Sequence, residues 1–310
     1  MTRRLYDGSI PRELLEDYQI VPTRLQGELD PTKIRLYVVH DLPGDPSCDI
    51  LKHGGWNKFH RIVFVSNWQM QAFIKHYQIP WSKCIVLQNA ILPIPEHEKP
   101  SDKISLVYFS TPHRGLQILV PVFEKLAEEF ENLELNVYSS FKLYGWDDKD
   151  APFEPLFDRC REHPRINYHS AVSNEEIRTA LTQNHILAYP SIWEETSCLV
   201  LMEAMSAGLI CVHPNYGALA ETASCWTNMY QWCEELNSHA SVFYGMLRNA
   251  IENINSEAFQ TTRRFQMFYA NNFFNWENRK EQWITLMESL RGEPREIAED
   301  NRPMFHYKVN

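Results

Sequence analysis

The chain has no lysine or arginine from position 179 to 247, a gap of 69 residues in a protein of 310. Its 30 basic residues form no dense stripe, and 40 acidic ones leave a net charge of −10. A nucleic-acid binder needs a basic surface to neutralise phosphates, so nucleic acid is not the expected partner. No apolar run reaches the roughly 18–20 residues of a membrane span. The opening Met-Thr-Arg-Arg-Leu-Tyr-Asp-Gly leads into no apolar h-region, so no secretory signal is expected. The seven cysteines (48, 84, 160, 198, 211, 225 and 233) are odd in number and contain no CxxC pair. That argues against a disulfide framework and against a zinc site, and the expected location is cytoplasmic.

What is present is ample core material: 44 % apolar residues, with 9 Trp, 14 Tyr and 16 Phe. The charge is uneven. Residues 1–98 carry 11 basic and 11 acidic side chains, so residues 99–310, with 19 and 29, hold the whole deficit. The second half alternates strands and helices. Strands are predicted at Ile104–Phe109, Leu135–Ser139, Arg165–Tyr168, Ile186–Tyr189 and Leu209–His213, with helices near 118–130, 174–181 and 199–207. Ser173 and Glu176 form an S-x-x-E capping box. The first half repeats the rhythm with strands at Ile34–His40, Arg61–Ser66 and Lys83–Leu87 and a helix at Trp68–Tyr77. Asn89–Pro95 reads as a linker, Trp276–Leu290 as a terminal helix, and the charged tail from Arg291 as loosely packed. The expected fold is α/β, with two doubly wound, Rossmann-like domains and ligands at the carboxyl ends of the strands. The expected boundaries are 1–93, 94–272 and a returning segment at 273–310, with the first domain abbreviated.

The most informative stretch is Tyr189–Gly208, YPSIWEETSCLVLMEAMSAG. A strand ends, a polar loop follows, and Thr196 or Ser197 is placed to cap the next helix. The first-turn amides of that helix form an anion site needing no local cation, which suits a region without Lys or Arg. Glu203 falls on a helix apolar nearly all round, so it needs donors. Side-by-side sugar hydroxyls would supply them, and so would a structural N–H or a cation. Asp148-Lys-Asp150 fits a D-x-D metal motif but sits in a polar stretch, so it reads as a solvated acidic loop and no metal is expected.

E-x7-E in the setting P-S-x-W-E-E-T-x-x-L-V-x-x-E-A-M-x-A-G resembles the retaining GT-B glycosyltransferases of family four. The resemblance implies a nucleotide diphosphate sugar as donor and a carbohydrate or lipid-linked acceptor, the latter compatible with peripheral membrane association. It assigns Glu195 to the donor sugar and Glu203 to the ribose hydroxyls. Thr196, Ser197, Cys198 and Leu199 would hold diphosphate and sugar. Tyr108–Leu116 resembles the family loop that carries two cations against the leaving diphosphate. Arg114-Gly115 matches the second, whereas Phe109 occupies the first, so His113 or a residue of the other domain must substitute. His40, ending a strand, matches a histidine often placed beside the sugar, and is equally readable as a structural hydrogen-bonder. Gly217, in Pro214-Asn-Tyr-Gly217, matches a loop near the nucleotide. Implied is retaining, metal-independent sugar transfer. A nucleotide-sugar epimerase and a nucleotide-sugar-binding subunit without turnover are the alternatives.

Overall fold

A computed structural model describes residues 2–297; the part of the tail beyond 297 lies outside the described residues. The chain divides into two compact units, residues 1–90 with 276–310, and residues 91–275. The first contains α1 (Arg12–Leu15), β1 (Tyr18–Pro22), β2 (Ile34–Val38), β3 (Arg61–Phe64), α2 (Asn67–Tyr77) and β4 (Cys84–Val86). The second contains β5 (Ile104–Phe109), α3 (Leu116–Glu129), β6 (Leu133–Tyr138), α4 (Glu154–Glu162), β7 (Ile166–Tyr168), α5 (Asn174–Gln183) and β8 (Ile186–Ala188). It continues with α6 (Leu199–Ser206), β9 (Ile210–Pro214), α7 (Leu219–Ala223), β10 (Asn228–Tyr230), α8 (Leu236–Glu252) and α9 (Glu257–Phe273). The chain then returns to the first unit as α10 (Trp276–Leu290).

The first unit's sheet is parallel throughout, in the order β1-β2-β3-β4. Alternation along its strands feeds two cores. Leu36, Val38 and Val63 pack with Trp276, Trp283, Met287 and Leu290 of α10 on one face. Tyr37, Val39, Ile62 and Phe64 pack with Phe73, Ile74 and Tyr77 of α2 on the other. Strand β1 was not legible in the sequence: five residues ending in Pro22 carry little periodicity. Residues 291–297 are also better held than expected. Arg291 Nε bonds Asp17 at 2.7 Å, and Arg61 forks onto Glu293, so this part of the tail is tied to the sheet.

The second unit's sheet is also parallel, in the order β10-β9-β8-β5-β6-β7. Counted within the unit this is 6-5-4-1-2-3, the doubly wound Rossmann order. The topological switch therefore falls between β5 and β8, where Leu106 pairs with Ile186. Both strands are buried on both faces, which is why ISLVYF and ILA read as continuous apolar runs rather than alternations.

Candidate active site

Three loops converge after β5, β8 and β9. The first, 110–115, ends at Gly115 with φ +126°; a Cβ there would meet the Pro190 carbonyl oxygen at 2.2 Å, so only glycine lets this loop press against the second. The Ile192 amide then donates to the Arg114 carbonyl at 3.3 Å. The third loop is fastened in the same way. Gly217 has φ +62°, and a Cβ would lie 2.5 Å from the Glu195 carbonyl oxygen. The Ala218 amide donates to that oxygen at 2.7 Å. Gly217 thus fixes the backbone of Glu195.

At the junction stands an ion pair, Arg114 Nη1 to Glu195 Oε1 at 2.6 Å. Tyr189 donates its hydroxyl to the same oxygen, also at 2.6 Å. Glu195 is almost wholly buried, and Tyr189 completely so. Burial works against the Arg114 charge, but Glu195 and Tyr189 outweigh it and raise its pKa. Burial, then Glu195, push the Tyr189 phenol well up, so it remains a donor. Trp193 lies under the Arg114 guanidinium, 5.6 Å from carbon to ring centroid, and meets the His113 ring edge-on at 4.9 Å. Phe141 stacks on the His113 ring at 5.2 Å. Neither Tyr189 nor Trp193 was singled out by the sequence; Tyr189 reads there as a strand end and Trp193 as a loop aromatic.

His113 is one of the two substitutes expected for the missing cation. Burial and the neighbouring Arg114 lower its pKa to about 4, so it is neutral at neutral pH. Phe109, at the other expected cation position, is buried core. The cap of α6 also differs from expectation. Neither Thr196 nor Ser197 caps it; Cys198 does, its Sγ accepting from the Leu201 amide at 3.4 Å. Burial, then Glu195, raise the Cys198 thiol well above its ordinary range, so it is no thiolate nucleophile. Leu199 opens the helix and is 42 % exposed. The first-turn amides of α6 have no intrahelical acceptor by construction. Glu203, half-buried, accepts from Asn174 Nδ2 at the start of α5, 3.0 Å away.

Around this junction the loops after β5, β6 and β8 hold buried polar atoms without a hydrogen-bond partner. They are Thr111 Oγ1, His113 Nδ1, Arg114 Nε, Ser139 Oγ and Ser197 Oγ. Such atoms are rare in folded proteins because each forfeits its hydration. Five on neighbouring strand ends make this end of the sheet the candidate ligand site. Asp150 is not part of it and is not solvated as expected: it is buried, accepting from Ser140 Oγ and from the Phe141 amide at 2.7 Å. His40 belongs to the first unit, where its amide donates to Thr23 Oγ1 at 3.0 Å; burial lowers its ring pKa to about 4. Among the described residues no helix is long and apolar enough to cross a membrane.

The two Rossmann-like units with parallel sheets have the fold of GT-B glycosyltransferases, and comparison with known proteins agrees. Residues 94–234 match the glycosyl transferases group 1 family. No curated protein matches the sequence. A glycosyltransferase from Rickettsia africae superposes with TM-score 0.68 at 12 % identity, over 90 % of this chain and 79 % of its own. Anabaena HepE, solved with UDP and glucose, gives 0.65 at 17 % identity, over 83 % and 72 %. The pneumococcal O-GlcNAc transferase GtfA, solved with UDP and GlcNAc, gives 0.65 at 15 % identity, over 85 % of this chain but 54 % of its own. At these identities the likeness is one of fold.

Proposed function

We propose that the chain transfers a sugar from a nucleoside diphosphate sugar to a hydroxyl acceptor, with retained anomeric configuration and without a metal. The observation that carries this reading is the ring of unpartnered buried polar atoms around the Arg114–Glu195 pair at the switch point of the sheet. Arg114 has Nη1 committed to Glu195 and Nε unpartnered, so it brings a fixed charge to the leaving diphosphate. First-turn amides of α6 add the positive end of a helix to the same charge. Glu195 spends Oε1 on Arg114 and Tyr189, leaving Oε2 for a sugar hydroxyl. Glu203 serves the ribose. The acceptor oxygen bonds the anomeric carbon as the bond to the phosphate oxygen breaks, and that oxygen takes the acceptor proton. Catalysis rests on stabilising the diphosphate and positioning the sugar. Because HepE and GtfA were solved with UDP, UDP-sugars are the first donors to try.

The test needs no acceptor. Slow hydrolysis of UDP-glucose in EDTA, followed by proton NMR, is expected to release α-glucose first. Release of β-glucose, or activity only with added divalent metal, contradicts the proposal. A second reading, donor binding without turnover, is favoured by one observation: Arg114 and Glu195 neutralise each other while Phe109 stands at the first cation's position. It predicts UDP-sugar binding with no sugar released.

A further inference from the structure

The loop that follows β6 is built from two short helical turns, Phe141–Tyr144 and Asp147–Phe153. It is held from within. The buried Asp150 carboxylate accepts from Ser140 Oγ, and from the Phe141 amide at 2.7 Å. Ser140 Oγ in turn accepts from the Lys142 amide at 3.0 Å. The Gly145 amide donates to the Lys142 carbonyl at 2.9 Å, and the Trp146 amide to the Phe141 carbonyl at 3.2 Å. This closed loop nevertheless leaves three large apolar side chains in water: Leu143 is 60 % exposed, and Tyr144 and Trp146 are each 51 % exposed. Such side chains are ordinary when scattered singly; grouped on one loop they mark a surface that something covers.

The rings are arranged rather than scattered. Tyr144 and Trp146 stand 5.2 Å apart, with 43° between their planes. Phe141, at the start of the loop, packs on Phe153 at 5.8 Å and stacks on His113 at 5.2 Å. His113 meets Trp193, itself 39 % exposed, and Trp193 lies under Arg114. Ring contacts thus join the aromatic loop to the Arg114–Glu195 pair. The rest of the loop surface is polar and of both signs, with Lys142, Asp147, Asp148 and Lys149 exposed. Charge decides what such a surface takes. Two exposed carboxylates on a chain of net charge −10 repel an anionic bilayer. A wholly apolar partner would strip water from four charges and return nothing to them. A neutral pyranose suits both features: its C–H face lies against an aromatic ring while its hydroxyl edge bonds the charged groups beside it.

We propose that Tyr144 and Trp146 form a platform that binds a neutral saccharide, and that this saccharide is the acceptor. Its role as acceptor rests on the transfer reaction proposed above; the platform itself does not. Internal bonds from Asp150 and Ser140 hold the loop in shape before the ligand arrives, so binding orders little of the chain.

Maltohexaose, cellohexaose, chitohexaose and mannohexaose are offered to the full chain at millimolar concentration in saturation-transfer NMR, and UDP is titrated calorimetrically into the same proteins. The expected result is binding of at least one saccharide, with saturation strongest on its ring C–H protons. That binding is expected to weaken by roughly tenfold or more in Trp146→Ala and in Tyr144→Ala, and to survive in Tyr144→Phe, which keeps the ring. UDP binding is expected to be alike in parent and variants. No saccharide bound, binding indifferent to both alanine changes, or UDP binding weakened with it overturns the platform. So does binding to phosphatidylglycerol vesicles that is lost in Trp146→Ala, which would make the loop a lipid contact. UDP bound without any saccharide overturns the platform alone; a saccharide bound without UDP keeps the platform and overturns the donor reading.

Discussion

In the first unit the loops after the strands close on themselves. Thr23 Oγ1 accepts from the His40 amide and donates to the Val38 carbonyl. The Gln69 side chain spans the Val65 amide and the Asp41 carbonyl, at 3.0 and 2.9 Å, and Tyr77 takes the Gly44 amide. In the second unit the equivalent positions end in idle atoms, with Thr111, Ser139 and Ser197 hydroxyls unpartnered and Arg114 only partly used. The two sheets share an architecture, yet one finishes its strand ends with internal bonds and the other leaves them open. A closed end stabilises; an open end is held ready for a ligand by bonds further back, as Gly115 and Gly217 hold Arg114 and Glu195.

The largest effect tests whether Arg114 and Glu195 act as one unit. Arg114→Ala leaves Glu195 buried with Tyr189 as its remaining donor and is expected to cost about 3–5 kcal/mol. Arg114→Ala with Glu195→Ala is expected to cost less than that single change, which denaturant unfolding of the full cycle measures. Additive losses would mean the pair is not coupled. Next comes the contrast of two glycines. Gly217→Ala, at positive φ and against the Glu195 backbone, is expected to cost more than the roughly 1–2 kcal/mol of a left-handed alanine and to weaken donor binding. Gly54→Ala in the first unit, also at positive φ but in open space, should cost the conformational part alone and leave donor binding intact.

A third prediction concerns pH, where the units should behave alike. His213, fully buried between the Pro214 carbonyl and the Thr227 hydroxyl, and His40 are both lowered to about 4 by burial. Their folded pKa lies below the unfolded one, so the unfolded chain binds the proton first. Stability is whole above about 6.5 and falls as pH drops toward 4. Melting followed across that range should flatten in His213→Gln and in His40→Gln; an unchanged slope in both would refute the assignment. The smallest effect is Thr23→Val, expected to cost about 1 kcal/mol by leaving the His40 amide short of its acceptor. Its donor binding is expected to match the parent's, since Thr23 belongs to the first unit and not to the Arg114–Glu195 junction.

Much of the second unit was legible because its strands are buried on both faces and its helices carry caps: β5 and the Ser173–Glu176 box fall where the pattern puts them. β1 and β10 were missed because β1 runs into Pro22 and β10 (NMY) buries only Tyr230, so neither carries the apolar run that marks the other strands. In the site, the residues Glu195 and Arg114 were readable from motif spacing, but their pairing was not. A salt bridge across 81 positions depends on how two loops meet, and Gly115 and Gly217 set that meeting through backbone contacts no periodicity records. Tyr189 and the capping role of Cys198 were hidden for the same reason. The contacts of His113 with Phe141 and Trp193 were not legible either, because they join loops distant in sequence.

The central claim is that the open strand ends of the second unit form a donor site organised by Arg114. Calorimetric titration of UDP and UDP-glucose in EDTA, on the parent protein and on Arg114→Gln, tests it most directly. The account predicts metal-independent binding, weakened by about 10- to 100-fold in the variant, the worth of a charged hydrogen bond to the diphosphate. Equal binding by both proteins would contradict it.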